Sequence, residues 1–261
     1  MKARLRDIDV TYNMAGKGLP VVLVHGLAED HQSWAQVQAD LKDVKSYAYD
    51  LRGHGQTSLG HPENTLEQLG GDLIAFLENV SGPAVCVGFS LGGTVVLWAA
   101  AKRPDLMTRA IVVGTSSKVG RAAVGFFQQR ISQLQDDRPA FDLGLSGDTA
   151  SQLARPPADL DAITAQRLAA VGDGGGYINA ARAMIGLADS PLTPLLAEIA
   201  IPVTVIGGEK DAFCPKKAAD MICAELPNAE YHEIPDAGHL MSVDQPGQYS
   251  ATIQQAIRKG T

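Results

Sequence analysis

The sequence predicts an α/β protein with a mainly parallel β-sheet that is covered by helices on both faces. Short apolar runs alternate along the chain with longer segments whose apolar residues recur at helical spacing. Some of the short runs, such as residues 20–24, contain no polar side chain, which is typical of parallel strands buried on both faces. With 261 residues, the chain is long enough for one such domain with an insertion.

The first part of the chain predicts six strands and three helices. Two short strands come before a turn at residues 15–18, and the pattern then alternates between strand and helix. The strands are predicted at 3–5, 8–12, 20–24, 45–49, 83–87 and 106–113, and the helices at 33–41, 65–80 and 92–103. Leu66, Leu69, Leu73 and Leu77 form one apolar face of the second helix. Pro104 ends the third helix, because proline lacks the N–H that a helix interior requires.

The pattern changes between residues 117 and 194, where amphipathic helical stretches and Gly/Pro breaks replace the strands. Alternation then resumes with strands at 202–206 and 230–234 and helices at 215–225 and 246–258. We therefore predict an eight-stranded core from residues 1–116 and 195–261 and an inserted helical cap from residues 117–194. The glycine-rich run 172–176 is interpreted as a flexible joint between cap helices. The cap is expected to cover the carboxyl edge of the sheet, where open α/β sheets place their sites.

Composition and charge exclude several classes of partner. The formal net charge of −7 argues against binding to nucleic acid or to an anionic membrane surface. The sequence contains no run of 18 apolar residues, so no transmembrane helix is predicted. The charged N-terminus lacks the apolar segment of a secretory signal. Three cysteines without metal-ligand spacing are expected to be free thiols in a reducing cytoplasm. We expect the protein to act on a small-molecule substrate and to be a monomer or a homodimer.

The most informative motif is Gly88-Phe89-Ser90-Leu91-Gly92, which follows a predicted strand and precedes a helix. A G-x-S-x-G turn holds its serine in a cramped backbone conformation, and the glycines allow strand and helix to approach closely. The serine hydroxyl is thereby exposed to a base and to a carbonyl carbon. The motif alone is weak, but its position between strand and helix makes it specific.

A serine hydroxyl needs an adjacent base to act as a nucleophile at neutral pH, and the base needs an orienting carboxylate. Asp211 and His239 each follow a predicted strand, and the order Ser, Asp, His along the chain is the order that this motif predicts. Glu209, in the same turn as Asp211, and Asp236, three residues before His239, are the alternative carboxylates. Residues 114–116, which follow the strand after the serine helix, contain no carboxylate.

These segments together resemble the α/β-hydrolase fold family, and within it the small bacterial members with a lid, which include enol-lactone hydrolases and carbon–carbon bond hydrolases. The resemblance covers nearly all of the predicted core. It rests on Val24-His25-Gly26-Leu27, Asp50-Leu51-Arg52-Gly53-His54-Gly55-Gln56-Thr57, residues 88–93, Gly208-Glu209-Lys210-Asp211 and Gly238-His239. Thr57 stands where the family usually has serine.

The resemblance implies a role for each matching residue. Ser90 would be the nucleophile, His239 the general base and then acid, and Asp211 the orienting carboxylate. The backbone N–H groups of Leu27 and Leu91 would form the oxyanion hole. In this family the residue at His25, next to Gly26, more often supports the oxyanion turn than acts as a second base. No metal and no cofactor are expected to take part.

Other candidates are weighed against structural roles. Phe126, Phe127, Phe141, Tyr177, Met184 and Leu187 of the predicted cap are candidates for a substrate pocket, although apolar residues at helical spacing more often serve packing. Six cap arginines offer bidentate contacts to a substrate carboxylate, namely Arg121, Arg130, Arg138, Arg155, Arg167 and Arg182. Eight interspersed aspartates favour a solvated mixed surface instead. Asp50, Arg52 and His54 are interpreted as a polar turn held by internal hydrogen bonds.

The sequence therefore predicts a serine hydrolase that cleaves a small carboxylic ester, lactone or thioester through an acyl-enzyme on Ser90. Hydrolysis of a carbon–carbon bond in a diketone-like acid by the same three residues is the first alternative. Cofactor-free perhydrolysis, an elimination reaction, or a ligand-binding receptor that retains the fold are further alternatives. An epoxide hydrolase or dehalogenase is disfavoured, because both need a carboxylate at position 90.

Overall fold

The computed structural model describes residues 1–226 and 228–259. Eight strands form one sheet in this part of the chain, and each coincides with a predicted strand. They are β1 (Lys2–Leu5), β2 (Ile8–Gly16), β3 (Leu19–Val24), β4 (Val44–Tyr49), β5 (Ala84–Phe89), β6 (Met107–Val113), β7 (Val203–Gly208) and β8 (Ala229–Ile234). Strand β2 extends four residues beyond its predicted end, because residues 12–16 pair with β4.

The sheet has the order β1-β2-β4-β3-β5-β6-β7-β8. Strand β2 pairs antiparallel with β1 and with β4, and all pairs from β4 to β8 are parallel. The predicted mainly parallel sheet is thus confirmed. Because parallel strands end at the same edge, residues that follow β3, β5, β6, β7 and β8 meet at one rim of the molecule.

The helices include every one predicted for the core, two of them with different ends, and a short one at Met241–Asp244 that was not predicted. They are α1 (Ala35–Asp40), α2 (Leu66–Phe76), α3 (Leu91–Lys102), α4 (Arg121–Asp136), α5 (Arg138–Ser151), α6 (Leu160–Val171), α7 (Gly175–Gly186), α8 (Thr193–Leu196), α9 (Lys216–Glu225), α10 (Met241–Asp244) and α11 (Pro246–Arg258). The helix predicted at 33–41 begins with a 3-10 turn at His31–Trp34, which Asp30 caps through the Gln32 N–H. The helix predicted at 65–80 ends in a π-helical turn at Leu77–Ser81.

Two apolar cores lie on opposite faces of the sheet. Val22 and Val24 of β3 belong to the core beneath α2 and α3, whereas Val21 and Leu23 belong to the core beneath α1 and α11. All four side chains are fully buried, and each contributes about 1.5–3 kcal/mol of burial free energy. This explains the uninterrupted apolar run, since side chains alternate between two buried faces.

Helices α4 to α8 lie between β6 and β7 in the chain. Among the described residues, no strand occurs between Val113 and Val203. Side chains of α4, α5, α6 and α7 form a third apolar cluster with Ala28 of the core. Residues 172–174 of the predicted joint connect α6 to α7, and Gly172 and Gly174 both have positive φ angles, whereas residues 175–176 begin α7. The division into core and cap at residues 117 and 194 stays a prediction. No helix in the described ranges is long and apolar enough to cross a membrane.

Candidate active site

Ser90 occupies the sharp turn between β5 and α3. Its φ of 51° and ψ of −118° lie outside the regions that most residues adopt. A Cβ added to Gly88 would lie 2.3 Å from the Gly92 carbonyl oxygen, and one added to Gly92 would lie 2.2 Å from that of Val24. The glycines of the motif are therefore required by close backbone contacts, which hold the turn and its strained serine in place.

His239 lies between Ser90 and Asp211. Its Nε2 is 3.1 Å from Ser90 Oγ, and its Nδ1 is 2.8 Å from Asp211 Oδ2. Asp211 Oδ1 accepts hydrogen bonds from the backbone N–H groups of Phe213 and Cys214. These donors hold the carboxylate in place. Its contact with Nδ1 favours the tautomer with the proton on Nδ1, which leaves the lone pair of Nε2 facing the serine hydroxyl.

The two alternative carboxylates are used elsewhere. Glu209 accepts a hydrogen bond from the backbone N–H of Asp236, and the Asp236 side chain pairs with Lys210 at 2.6 Å. Asp211 and His239 are both 5% exposed, whereas Glu209 and Asp236 are exposed. Among the described carboxylates, Asp211 is the one in contact with the His239 ring.

The loop after β3 passes beside Ser90. A Cβ added to Gly26 would lie 2.8 Å from the Phe89 ring and 3.3 Å from Ser90 Cβ. The N–H groups of Leu27 and Leu91, predicted as the oxyanion hole, have no hydrogen-bond acceptor in the described part of the chain. Both residues line the cavity that contains Ser90. Leu91 is also the first residue of α3, where the helix dipole favours negative charge.

His25 and Glu29 hold this loop from behind. His25 Nδ1 donates to the Gly26 carbonyl oxygen at 2.8 Å, and its Nε2 accepts from the Leu51 N–H at 2.9 Å. Burial lowers the pKa of His25 to about 3, so the ring is neutral near pH 7. The buried Glu29 carboxyl accepts from the Gly26 N–H. The ring of His25 thus bonds to the backbone around the loop, and within the described ranges it makes no hydrogen bond to Ser90, Asp211 or His239.

Ser90 and His239 open into a cavity of about 490 Å³ between the core and helices α4 to α7. Four of the predicted pocket residues line it, namely Phe126, Phe127, Tyr177 and Met184. Phe141 and Leu187 do not: Phe141 is fully buried behind Tyr177, with the two rings edge to face at 5.2 Å. The cavity also contains side chains that the sequence did not single out for it, including Lys118, Asp148, Gln152 and Phe213.

The predicted solvated surface of cap arginines is wrong for two of the six. Arg130 is 9% exposed and binds both oxygens of Asp148 at 2.7 Å, and Arg167 is 8% exposed. The sequence does carry a signal for Arg167, because Thr164, Arg167, Ala170 and Val171 share the buried face of α6. The interspersed aspartates of residues 117–194 favour a solvated surface and outweigh this signal in the sequence.

The polar turn after β4 is structural, as predicted. Arg52 is buried and forms bidentate pairs with Asp72 and with Asp7. Asp50 Oδ2 accepts from the Gln56 N–H, and His54 Nδ1 donates to the Arg52 carbonyl oxygen at 3.1 Å. These contacts close the turn and involve none of the residues around Ser90.

In the described part of the chain, one group of side chains has possible ligand atoms close enough together to hold a metal ion, namely Asp30, His31 and Asp50. Asp50 Oδ1 accepts from the backbone N–H of His31 and contacts its Nδ1 at 2.6 Å. Asp30 caps the following 3-10 turn. These backbone hydrogen bonds account for both carboxylates, and the group is assigned to turn stabilisation.

Known proteins resemble this chain in sequence and in fold. A family model described as the alpha/beta hydrolase fold matches residues 20–246. The 3-oxoadipate enol-lactonase 2 of Acinetobacter baylyi is 26% identical, over 97% of this chain and 95% of its own length. A pimeloyl acyl-carrier protein methyl ester esterase of Aromatoleum aromaticum is 27% identical, over 91% and 98%. The crystal structure of an enol-lactonase from Burkholderia xenovorans superposes with a TM-score of 0.87 at 22% identity, over 99% of this chain and all of that one.

Proposed function

The chain belongs to the alpha/beta hydrolase fold family, and we propose that it is a serine hydrolase that cleaves a small carboxylic ester, lactone or thioester. One observation carries the proposal: His239 Nε2 lies 3.1 Å from Ser90 Oγ while its Nδ1 lies 2.8 Å from the Asp211 carboxylate. A base so placed and oriented makes a serine hydroxyl nucleophilic.

In the first half of the reaction, Ser90 Oγ adds to the carbonyl carbon of the substrate and its proton moves to His239 Nε2. The carbonyl oxygen becomes an oxyanion, which the N–H groups of Leu27 and Leu91 would stabilise. One such preorganised donor is typically worth about 3 kcal/mol in the transition state. The bond to the leaving group then breaks, His239 gives its proton to the leaving oxygen or sulfur, and the acyl group remains on Ser90.

In the second half, a water molecule takes the place of the leaving group. His239 Nε2 accepts a proton from the water as its oxygen adds to the acyl carbon. The new tetrahedral intermediate collapses, Ser90 Oγ leaves and recovers its proton from His239, and a carboxylic acid is released. Asp211 keeps its hydrogen bond to Nδ1 and stabilises the imidazolium of His239 in both halves.

We also propose that residues 117–194 act as a cap over this site, as the sequence suggested. Cap residues on α4, α5, α6 and α7 line the cavity together with Ser90. Their apolar side chains exclude water and so strengthen the electrostatic interactions of the reacting groups. The shape of the space under these helices would then decide which acyl group is accepted.

The test is turnover by Ser90→Ala. The substrates are 4-nitrophenyl acetate and butyrate, and Ser132→Ala, at an exposed cap serine, is the matched control. We expect Ser90→Ala to lower kcat at least about a thousandfold and Ser132→Ala to leave it unchanged. A fluorophosphonate should label wild type at Ser90 and fail to label Ser90→Ala.

Wild-type turnover by pure Ser90→Ala would refute the proposal. The alternatives predicted from the sequence give other results in the same experiment. A receptor would bind the probe without repeated turnover, and a carbon–carbon bond hydrolase would leave simple esters intact while releasing a short acid from a diketone-like substrate.

A further inference from the structure

Arg167 lies in the middle of α6 and lines the same cavity as Ser90 and His239. Its side chain is nearly enclosed, at 8% exposure. A buried guanidinium loses hydration that only hydrogen bonds and an opposite charge replace. The partners of Arg167 therefore decide whether it serves the fold or a ligand.

Its partners within the protein are neutral and incomplete. Nη1 donates to Thr149 Oγ1 at 2.8 Å and to Gln152 Oε1 at 2.9 Å. Nε is buried without a hydrogen-bond partner, and over the described ranges no carboxylate oxygen lies within 4 Å of the guanidinium. Arg130 on α4 is different, because both oxygens of Asp148 bind it in a bidentate pair.

Two acidic groups lie near Arg167, and neither forms an ion pair with it. Asp148 lines the cavity but is bound to Arg130, so that pair is neutral. Glu29, on the core side, interacts electrostatically with Arg167 but makes its hydrogen bond to the Gly26 N–H, and burial raises the pKa of its carboxyl. Lys118 is exposed and adds a second positive charge to the cavity lining. With Lys118 and Arg167 against Asp148, the side chains that line the cavity carry a net positive charge.

We propose that Arg167 binds a carboxylate of the substrate, so that the substrate of the Ser90 site is an ester, lactone or thioester with a separate carboxylate group. The guanidinium fork matches a carboxylate in geometry and charge, and Nε is one of the two donors that a bidentate contact uses. The part about the substrate rests on the proposed hydrolase function; the carboxylate site itself does not.

The kinetic test uses two ester pairs that differ in one charge. The first pair is 4-nitrophenyl hydrogen glutarate and its methyl ester, with the carboxylate on the acyl side. The second is 4-carboxyphenyl butyrate and its methyl ester, with the carboxylate on the leaving group. In at least one pair, wild type should prefer the anionic ester in kcat/KM, and Arg167→Gln should lower that preference about tenfold or more.

Two further variants separate ligand binding from support of the cap. Arg167→Lys keeps the charge without the fork and should retain an intermediate preference. Arg182→Gln removes an exposed cap arginine that does not line the cavity and should leave the preference unchanged. The proposal would be overturned if folded Arg167→Gln kept the wild-type preference for the anionic ester in both pairs. It would also be overturned if Arg167→Gln lost activity equally on the anionic and the neutral esters and Arg167→Lys recovered none of that loss.

A binding measurement keeps this result separate from that of the hydrolase proposal. Glutarate and benzoate are titrated by calorimetry into wild type, Ser90→Ala and Arg167→Gln. At least one of these two anions should bind wild type and Ser90→Ala with the same affinity. It should bind Arg167→Gln at least about tenfold more weakly. If neither ester pair is hydrolysed but this difference is found, the hydrolase proposal fails and the carboxylate site stands. Equal or absent binding to wild type and Arg167→Gln would refute the carboxylate site.

Discussion

The Asp244 carboxylate accepts a hydrogen bond from the backbone N–H of Gly238 at 2.8 Å, in the turn that carries His239. The same oxygen accepts from the N–H of Ala154, just beyond the end of α5 in the cap segment, at 2.9 Å. A Cβ on Gly238 would lie 2.5 Å from the Gln152 carbonyl oxygen, so the cap chain lies directly against the histidine turn. One buried carboxylate thus joins the chain just beyond α5 to the loop that carries His239.

Asp244→Ala should therefore destabilise the fold and slow the reaction. Two N–H groups would lose their acceptor, and a buried donor without a partner costs about 1–3 kcal/mol. We expect a loss of about 2–4 kcal/mol in the free energy of unfolding from urea denaturation, together with a lower kcat as the His239 turn loosens. Asp244→Asn keeps one oxygen acceptor and should lose less of both. Wild-type stability in Asp244→Ala would contradict this account.

The glycines at the serine turn give a second prediction. Gly92→Ala places a Cβ 2.2 Å from the Val24 carbonyl oxygen, which is backbone and cannot move aside. We expect Gly92→Ala to lose at least about 2 kcal/mol of stability or to fail to fold, since strain in a packed core costs this much. Thermal unfolding measures the change, and turnover should fall with it.

Gly147→Ala is the matched control for that substitution. Gly147 lies in α5 with open space around the added Cβ, and a helix interior favours alanine over glycine by about 0.5–1 kcal/mol. Its melting temperature should rise slightly. Equal melting temperatures for Gly92→Ala and Gly147→Ala would show that the close approach at the serine turn is not required.

The core was predictable because its signals are local. Strand-like runs locate all eight strands, some apolar throughout and some mixed. Since parallel strands end at one edge, the sequence also predicts that Ser90, Asp211 and His239 meet there. The backbone requirements of Gly88 and Gly92 are also local, so the motif itself carries them. These are properties that a few neighbouring residues determine.

The cap was predictable only as helices, because the direction in which each helix face points depends on tertiary packing. Arg130 and Arg167 look like surface residues in the sequence, yet they lie on the buried faces of α4 and α6. The ion pair with Asp148 offsets the cost of burying the Arg130 guanidinium, and Asp148 is 18 residues away on another helix. No local pattern could pair them or reveal that Arg167 lacks such a partner.

Phe141 and Phe126 provide a third prediction from the same distinction. Phe141 is fully buried and packs on Tyr177, so Phe141→Ala should cost about 3–5 kcal/mol of stability. Phe126 lines the cavity and is partly exposed, so Phe126→Ala should cost less stability and raise KM more. Urea denaturation and ester kinetics on both variants check this. A larger change in KM for Phe141→Ala than for Phe126→Ala would assign Phe141 to the pocket after all.

The buried His25 predicts a pH dependence of stability. Burial lowers its pKa in the folded protein to about 3, while the unfolded chain has the ordinary value of 6.5. Below pH 6.5 the unfolded state therefore binds a proton that the folded state does not. The contribution of His25 to stability is fully present above pH 6.5 and is lost progressively as the pH falls towards 3. The slope from one such histidine is at most about 1.4 kcal/mol per pH unit.

His25→Gln tests this directly, because glutamine cannot titrate but retains a donor and an acceptor. We expect it to be less stable than wild type at pH 7.5, since the ring bonds to Gly26 and Leu51 are lost, and to lose less stability between pH 6.5 and 4.5. Urea denaturation at four pH values measures both slopes. His54, whose pKa burial also lowers, keeps part of the acid sensitivity in the variant. Parallel pH profiles for wild type and His25→Gln would contradict this account, because they would show that His25 has the same pKa in the folded and the unfolded protein.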